Sequence, residues 1–133
     1  VLGGVVGAVL LGVVAFLFYR NYQAERNMEG QDQMVGAVRF FERDSTDKAL
    51  NGTSQNPGLL ALADDYSGTD AGNLAHYYAG MALLRKGKVA EAIEALEAFD
   101  KKDNMASAMA YSALGYAYEE QKDYARAADH YIK

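Results

Sequence analysis

Two histidines, His76 and His130, are the side chains best suited to chemistry in this sequence, and their surroundings offer little of it. Neither has a partner at i+3 or i+4 that would suit zinc. The chain has no cysteine, which removes thiolate metal sites, disulfides and cysteine nucleophiles. His76 is expected to pack between helices and His130 to sit in solvent. Asp64-Asp65 is an acidic pair near a helix end, and Glu91, Glu94 and Glu97 recur every three residues, the spacing of a solvated helix face. The glycine-rich run VLGGVVGAVLLG has no strand before it and no Lys-Ser/Thr after it, so it is no phosphate loop. With no convergent nucleophile, base or ligand set, no catalytic, cofactor or metal residue is expected.

The elements that hold these residues are helical. Alanine is frequent, proline occurs once, and valine is almost confined to the first residues, a usage that predicts helices packed closely on helices. The formal net charge of −5 leaves no basic stripe to displace counterions from phosphates, so nucleic acid is not an expected partner. An all-α fold follows, with a single modest core.

Val1 to Tyr19 carry no charge, and Arg20 follows at once. As a helix this stretch is roughly 28 Å long, close to the hydrocarbon thickness of a bilayer. A cleaved signal peptide is the alternative, but the run is long for one and no small-x-small cleavage pattern follows it. Tyr19-Arg20-Asn21-Tyr22 has the character of an interfacial anchor. Residues 1–19 are therefore expected to be a transmembrane helix in contact with lipid. Gly4, Ala8 and Gly12 recur every four residues and offer a flat stripe for another transmembrane helix. Arg20 and Arg26 stand among Glu25, Glu29 and Asp32, so the charges by themselves leave the orientation open. The chain starts without methionine and stops inside an amphipathic pattern, as an interior piece of a longer protein would.

Residues 20–52 read as a juxtamembrane helix followed by a short one. Met34, Val38 and Phe41 share a face, with Ala37 and Phe40 beside it, and nothing but Gly30 interrupts the pattern up to about Arg43. Asp44-Ser45-Thr46-Asp47 can cap a short helix that Asn51-Gly52 stops. Asn56-Pro57 then suggests a cap and first residue of a helix carrying Leu59, Leu62 and Tyr66. Thr69 or Asp70 caps a longer helix that Gly87 ends.

Two segments repeat each other. AHYYAGMALLRKGKVAEAIEALEAF starts at Ala75 and AYSALGYAYEEQKDYARAADHYIK at Ala110. Gly80 and Gly115, Leu83 and Tyr118, Ala92 and Ala127, and Leu96 and Tyr131 are each 35 residues apart. A period near 34 with a helical hairpin in each unit is the mark of a tetratricopeptide repeat array. Residues 53–133 are assigned to it, with clear units near 70–104 and 105–133. The paired glycines and alanines are expected where helices cross, and Phe99 with the larger partners between them. His76 and Tyr111 stand where such repeats often have tryptophan, and Lys122 replaces a turn glycine.

Stacked hairpins curve, and the first helix of each lines the concave side. Leu74, Tyr77, Met81, Leu84 and Arg85 are expected there from one unit, and Met109, Ser112, Tyr116, Glu119 and Glu120 from the next. Tyrosine and methionine suit a segment of another protein. The alternative is that neighbouring hairpins cover these residues as ordinary core.

An uncharged span, a short linker and degenerate repeats together resemble the ancillary subunit of the SecYEG translocon. FFERDSTDKALNG, LLALADDYSGTDAGNLAHYYAGMALLRKGKVAEAIEAL and the repeat that follows are similar to its form in Bacteroidota-type bacteria. The resemblance implies a single-pass protein of the inner (cytoplasmic) membrane with its repeats in the periplasm. There it would lie near the translocon, a membrane-anchored chaperone-isomerase and emerging client polypeptides. No catalytic motif is carried over. A structural accessory subunit of another membrane complex, energy-transducing or envelope-assembling, would use the same layout.

Overall fold

The computed structural model describes residues 1–102 and 104–133, which form seven helices and no strand among those residues. The expected all-α class holds. Helix α1 spans Leu2–Glu42, α2 Thr46–Asn51, α3 Leu59–Asp65, α4 Asp70–Arg85, α5 Val89–Ala98, α6 Met105–Glu120 and α7 Tyr124–Tyr131.

Helix α1 runs 41 residues without a break. Its apolar N-terminal window has a mean hydropathy of 2.4 and is 0% buried, so this one helix is long and apolar enough to cross a membrane. Beyond that window the helix changes role. Gly30, Met34 and Ala37 turn inward and are buried against the rest of the chain.

Helix α4 lies beside this second half of α1 and points the same way. Asn27 Oδ1 accepts the Ala71 N–H at 2.8 Å, and Arg85 donates to the Phe41 carbonyl at 2.9 Å, the same offset of 44 residues at both ends. The first bond satisfies a donor in the first turn of α4 that no intrahelical carbonyl can reach. Gly30 makes the close approach possible: a Cβ there would stand 2.8 Å from Ala71 Cβ and 3.0 Å from the Tyr66 ring. Arg26 fastens the lower end by donating to the carbonyls of Asp65 and Ser67.

Two hairpins follow. In α4/α5, Gly80 faces Leu96, whose Cγ would be 2.5 Å from a Cβ on the glycine. In α6/α7, Gly115 faces the ring of Tyr131 in the same way. Leu96, Phe99, Leu114, Tyr118 and Ala127 form one buried cluster; Ala49, Leu50, Leu59, Leu62, Ala75 and Leu83 belong to another against α1. Capping is local and legible: Thr69 accepts from Gly72 N, Asn104 from Ser107 N and Asp123 from Arg126 N. Gly87 turns out of α4 at φ 76°, and Lys122 occupies the equivalent turn at φ 61°, a left-handed backbone that an L side chain tolerates at a cost of about 1–2 kcal/mol.

One sequence expectation fails here. Asn56-Pro57 does not start a helix; α3 starts at Leu59 with Gly58 as its N-cap. Gly52 and Pro57 instead pair as an isolated antiparallel bridge, and the Thr53 N–H donates to the Asn56 carbonyl at 2.8 Å. Asn56 extends its carboxamide toward Gly36 of α1, into space a Cβ there would fill. A tight loop against α1 wins over the local capping signal.

Candidate functional site

Three helices that run the same way build one face: the second half of α1, then α4, then α6. The constant offset between α1 and α4 has its counterpart between α4 and α6. Asp70 pairs with Lys102 at 3.2 Å, and the Tyr77 hydroxyl donates to Met109 Sδ at 3.4 Å, each 32 residues apart. Asn73 holds the loop before α6 at this level by accepting from Asp100 N at 2.6 Å and donating to Asp100 O at 3.0 Å. Helices α5 and α7 return behind this face.

Between α4 and α6 lies a shallow groove of about 490 Å³ lined by Met81, Leu84, Met105, Ala108, Met109, Ser112, Ala113 and Tyr116. No charged side chain lines it. Met105, Met109 and Tyr116 are exposed, whereas Met81 and Leu84 are half-buried. A second groove, of about 400 Å³, lies between α1 and α4 and takes in Val35, Val38, Leu74 and Tyr78, with Gln31, Arg39 and Glu42 at its edge. The two grooves share a wall in α4. The face can hold an apolar or lightly polar segment.

The residues singled out from sequence divide among three environments. Leu74, Met81, Leu84 and Tyr116, with Met109 and Ser112, line the grooves. Tyr77 does not. It is 7% exposed and packs its ring against Tyr78 and Phe99 at 5.3 and 5.5 Å, so its place is the core between α4 and α6. Arg85 is also otherwise engaged. Its guanidinium lies 3.9 Å from the Phe41 ring centre, bonds the Phe41 carbonyl and reaches Asp44 at 3.4 Å, which ties α4 to the end of α1. Glu119 is exposed and accepts from the Tyr131 hydroxyl at 3.2 Å. Gly4 and Gly12 have nothing within 4 Å of a Cβ position, so with the exposed Ala8 they form an open stripe.

The expectation for one histidine also needs correction. His130 is not solvated: its side chain is 12% exposed, lies 5.2 Å from the Tyr118 ring and pairs with Glu97 of the preceding hairpin at 3.3 Å. An amphipathic count places it on the polar side of α7, and only the returning α5 shows that this side faces Glu97. His76 is half-buried beside Asp64, Ala79 and Ala98. Burial pushes its pKa below the usual histidine range, against the opposing pull of Asp64. The unfolded chain takes up the proton near pH 6.5 while the folded chain resists, so His76 removes stability as pH falls through that value and below. The urea midpoint is expected to drop between pH 7.5 and 5.5, and His76→Gln to flatten that slope. No cluster of three or more His, Cys, Asp or Glu residues able to hold a metal occurs among the described residues.

Sequence reasoning missed Asn27, Arg26 and Asn73, which fasten the array to α1 and to itself. A polar residue on a long helix gives no local sign that its partner lies 27 to 44 residues away. Comparison with known families resolves what the hairpins are. Residues 59–106 and 79–132 match the tetratricopeptide repeat family, which together is more than half of the chain. The chain belongs to the tetratricopeptide repeat family. Repeats of this kind act as protein-interaction scaffolds and are typically non-enzymatic. Neither the curated proteins nor the solved structures gave a match.

Proposed function

We propose that this chain is a single-span membrane protein whose repeat array is a non-enzymatic docking scaffold beside the Sec translocon, on its exit side. One observation carries the membrane part of this reading. The apolar half of α1 is wholly exposed, and the same helix continues unbroken into the wall of the array. Exposed valine, leucine and phenylalanine at such density are stable only against lipid or another apolar surface. A tethered array also needs little intrinsic affinity, because confinement raises the effective concentration of partners in the same membrane.

The translocon, the periplasmic side and the inner membrane rest on the sequence similarity of residues 40–52 and 59–96 to the ancillary translocon subunit. The groove between α4 and α6, with its methionines and Tyr116, is where a chaperone or an emerging polypeptide would lie. The stripe of Gly4, Ala8 and Gly12 is where a translocon helix would approach.

Photocrosslinkers at Gly4, Ala8 and Gly12 test the first contact, and at Met109 and Tyr116 the second. Adducts with a translocon subunit from the first set and with a chaperone or secreted client from the second are the expected results. Capture of subunits of a different complex would assign the scaffold to that assembly instead. Repeated failure to capture a translocon subunit from membranes that retain the chain would overturn the assignment.

A further inference from the structure

The soluble half of α1 is apolar on two faces, and the array covers only one. Gly30, Met34 and Ala37 are buried against α4 and its neighbours. On an adjoining face, Met28 is 68% and Val35 55% exposed, although they lie on a stretch otherwise rich in Gln, Asn, Glu and Asp. These two belong to a repeat. Ala24, Met28, Gln31, Val35 and Val38 alternate in steps of four and three, and the same steps run back through Asn21, Leu17, Val14, Leu10 and Gly7. A repeat of 3.5 residues is the seam of a left-handed coiled coil; carried back at the same steps it enters a segment that is apolar on every face, which accommodates the seam.

We infer that α1 pairs along this seam with α1 of a second copy, as a parallel two-stranded coil. This rests on the span proposed above, because copies inserted the same way can only meet in parallel. The chemistry of the flanks fits that occupant. Arg20 and Glu25 fall at the positions that face each other across a parallel pair, five residues apart on opposite chains, so each copy offers the charge its partner lacks. Asn21 takes a central seam position just outside the apolar segment, where two asparagines can hydrogen-bond each other and fix both register and strand number. Both Asn21 and Ala24 are exposed in the single chain. The stripe of Gly4, Ala8 and Gly12 lies on a different face and stays free for another helix. In the pair, two repeat arrays stand on one stalk, and the α1–α4 groove with Val35 and Leu74 borders the seam.

The chain has no cysteine, so single substitutions report cleanly. Asn21→Cys, Met28→Cys and Val35→Cys, oxidised in native membranes, are expected to give a band of doubled mass. Glu29→Cys and Gln33→Cys, exposed on other faces of the same helix, are expected to lose it. Glu25→Arg should weaken the Met28→Cys band, and adding Arg20→Glu should restore it. Alkaline extraction separates the two claims. A chain that stays with the membrane but gives no band, or equal bands at all five sites, sinks the pairing and leaves the span standing. A chain released by alkali sinks both.

Discussion

Leu96→Ala is expected to lower the unfolding free energy by about 3 kcal/mol, within the roughly 2–5 kcal/mol typical of buried leucine truncations. Leu96 is 0% exposed and lies over Gly80, where α5 crosses α4, so no side chain can move in to fill the space. Its loss empties the middle of the first hairpin and loosens the seat of Phe99, Leu114 and Tyr118 in the same cluster. Measured by urea denaturation in mild detergent, this is a large share of the roughly 5–15 kcal/mol that a small domain has. Leu60→Ala is the matched control: Leu60 is 42% exposed and its truncation should shift the midpoint little. Equal effects at the two positions would contradict the packing described.

The second large effect is on coupling rather than on the hairpins. Gly30→Leu places a branched side chain where Ala71 Cβ and the Tyr66 ring already stand 2.8 and 3.0 Å from the Cβ position. Ala71 Cβ is fixed to the α4 backbone and cannot rotate aside, so α4 must move off α1. Overpacking of this kind costs about 1–3 kcal/mol. The displacement also breaks the bond from Ala71 N to Asn27 and the grip of Arg26 on the carbonyls of Asp65 and Ser67. Amide exchange is expected to rise in the first turn of α4 and at the end of α3, while α6 and α7 keep their protection. Uniform protection in the variant would mean that the array does not depend on α1 for its position.

These two residues mark what could and could not be read from the sequence. Leu96 and Gly80 were legible because the repeat pairs them with Tyr131 and Gly115, and a helix crossing needs a small residue opposite a large one. Gly30 was not legible as a contact: in the sequence it is an isolated glycine in a helical pattern. The same limit explains Tyr77 and Arg85. Periodicity places both on the first helix of a hairpin, but whether such a residue lines a groove or fills a joint depends on where α6 and α1 lie. Asn56-Pro57 shows the converse, a strong local capping signal overridden by a loop that Gly52, Pro57 and Gly36 hold against α1.

The sequence by itself determined the helical class, the length of the apolar segment and the hairpin repeat, because each is a matter of local composition and period. Backbone hydrogen bonds in a helix are satisfied within the segment, so these features need no knowledge of neighbours. Only the tertiary structure decided that α1 serves as the first wall of the array, parallel to α4 and α6, and that His130 and Tyr77 are enclosed. Those outcomes depend on contacts between residues 21 to 44 positions apart, such as Glu97 with Tyr118 and Asn27 with Ala71, which leave no period along the chain.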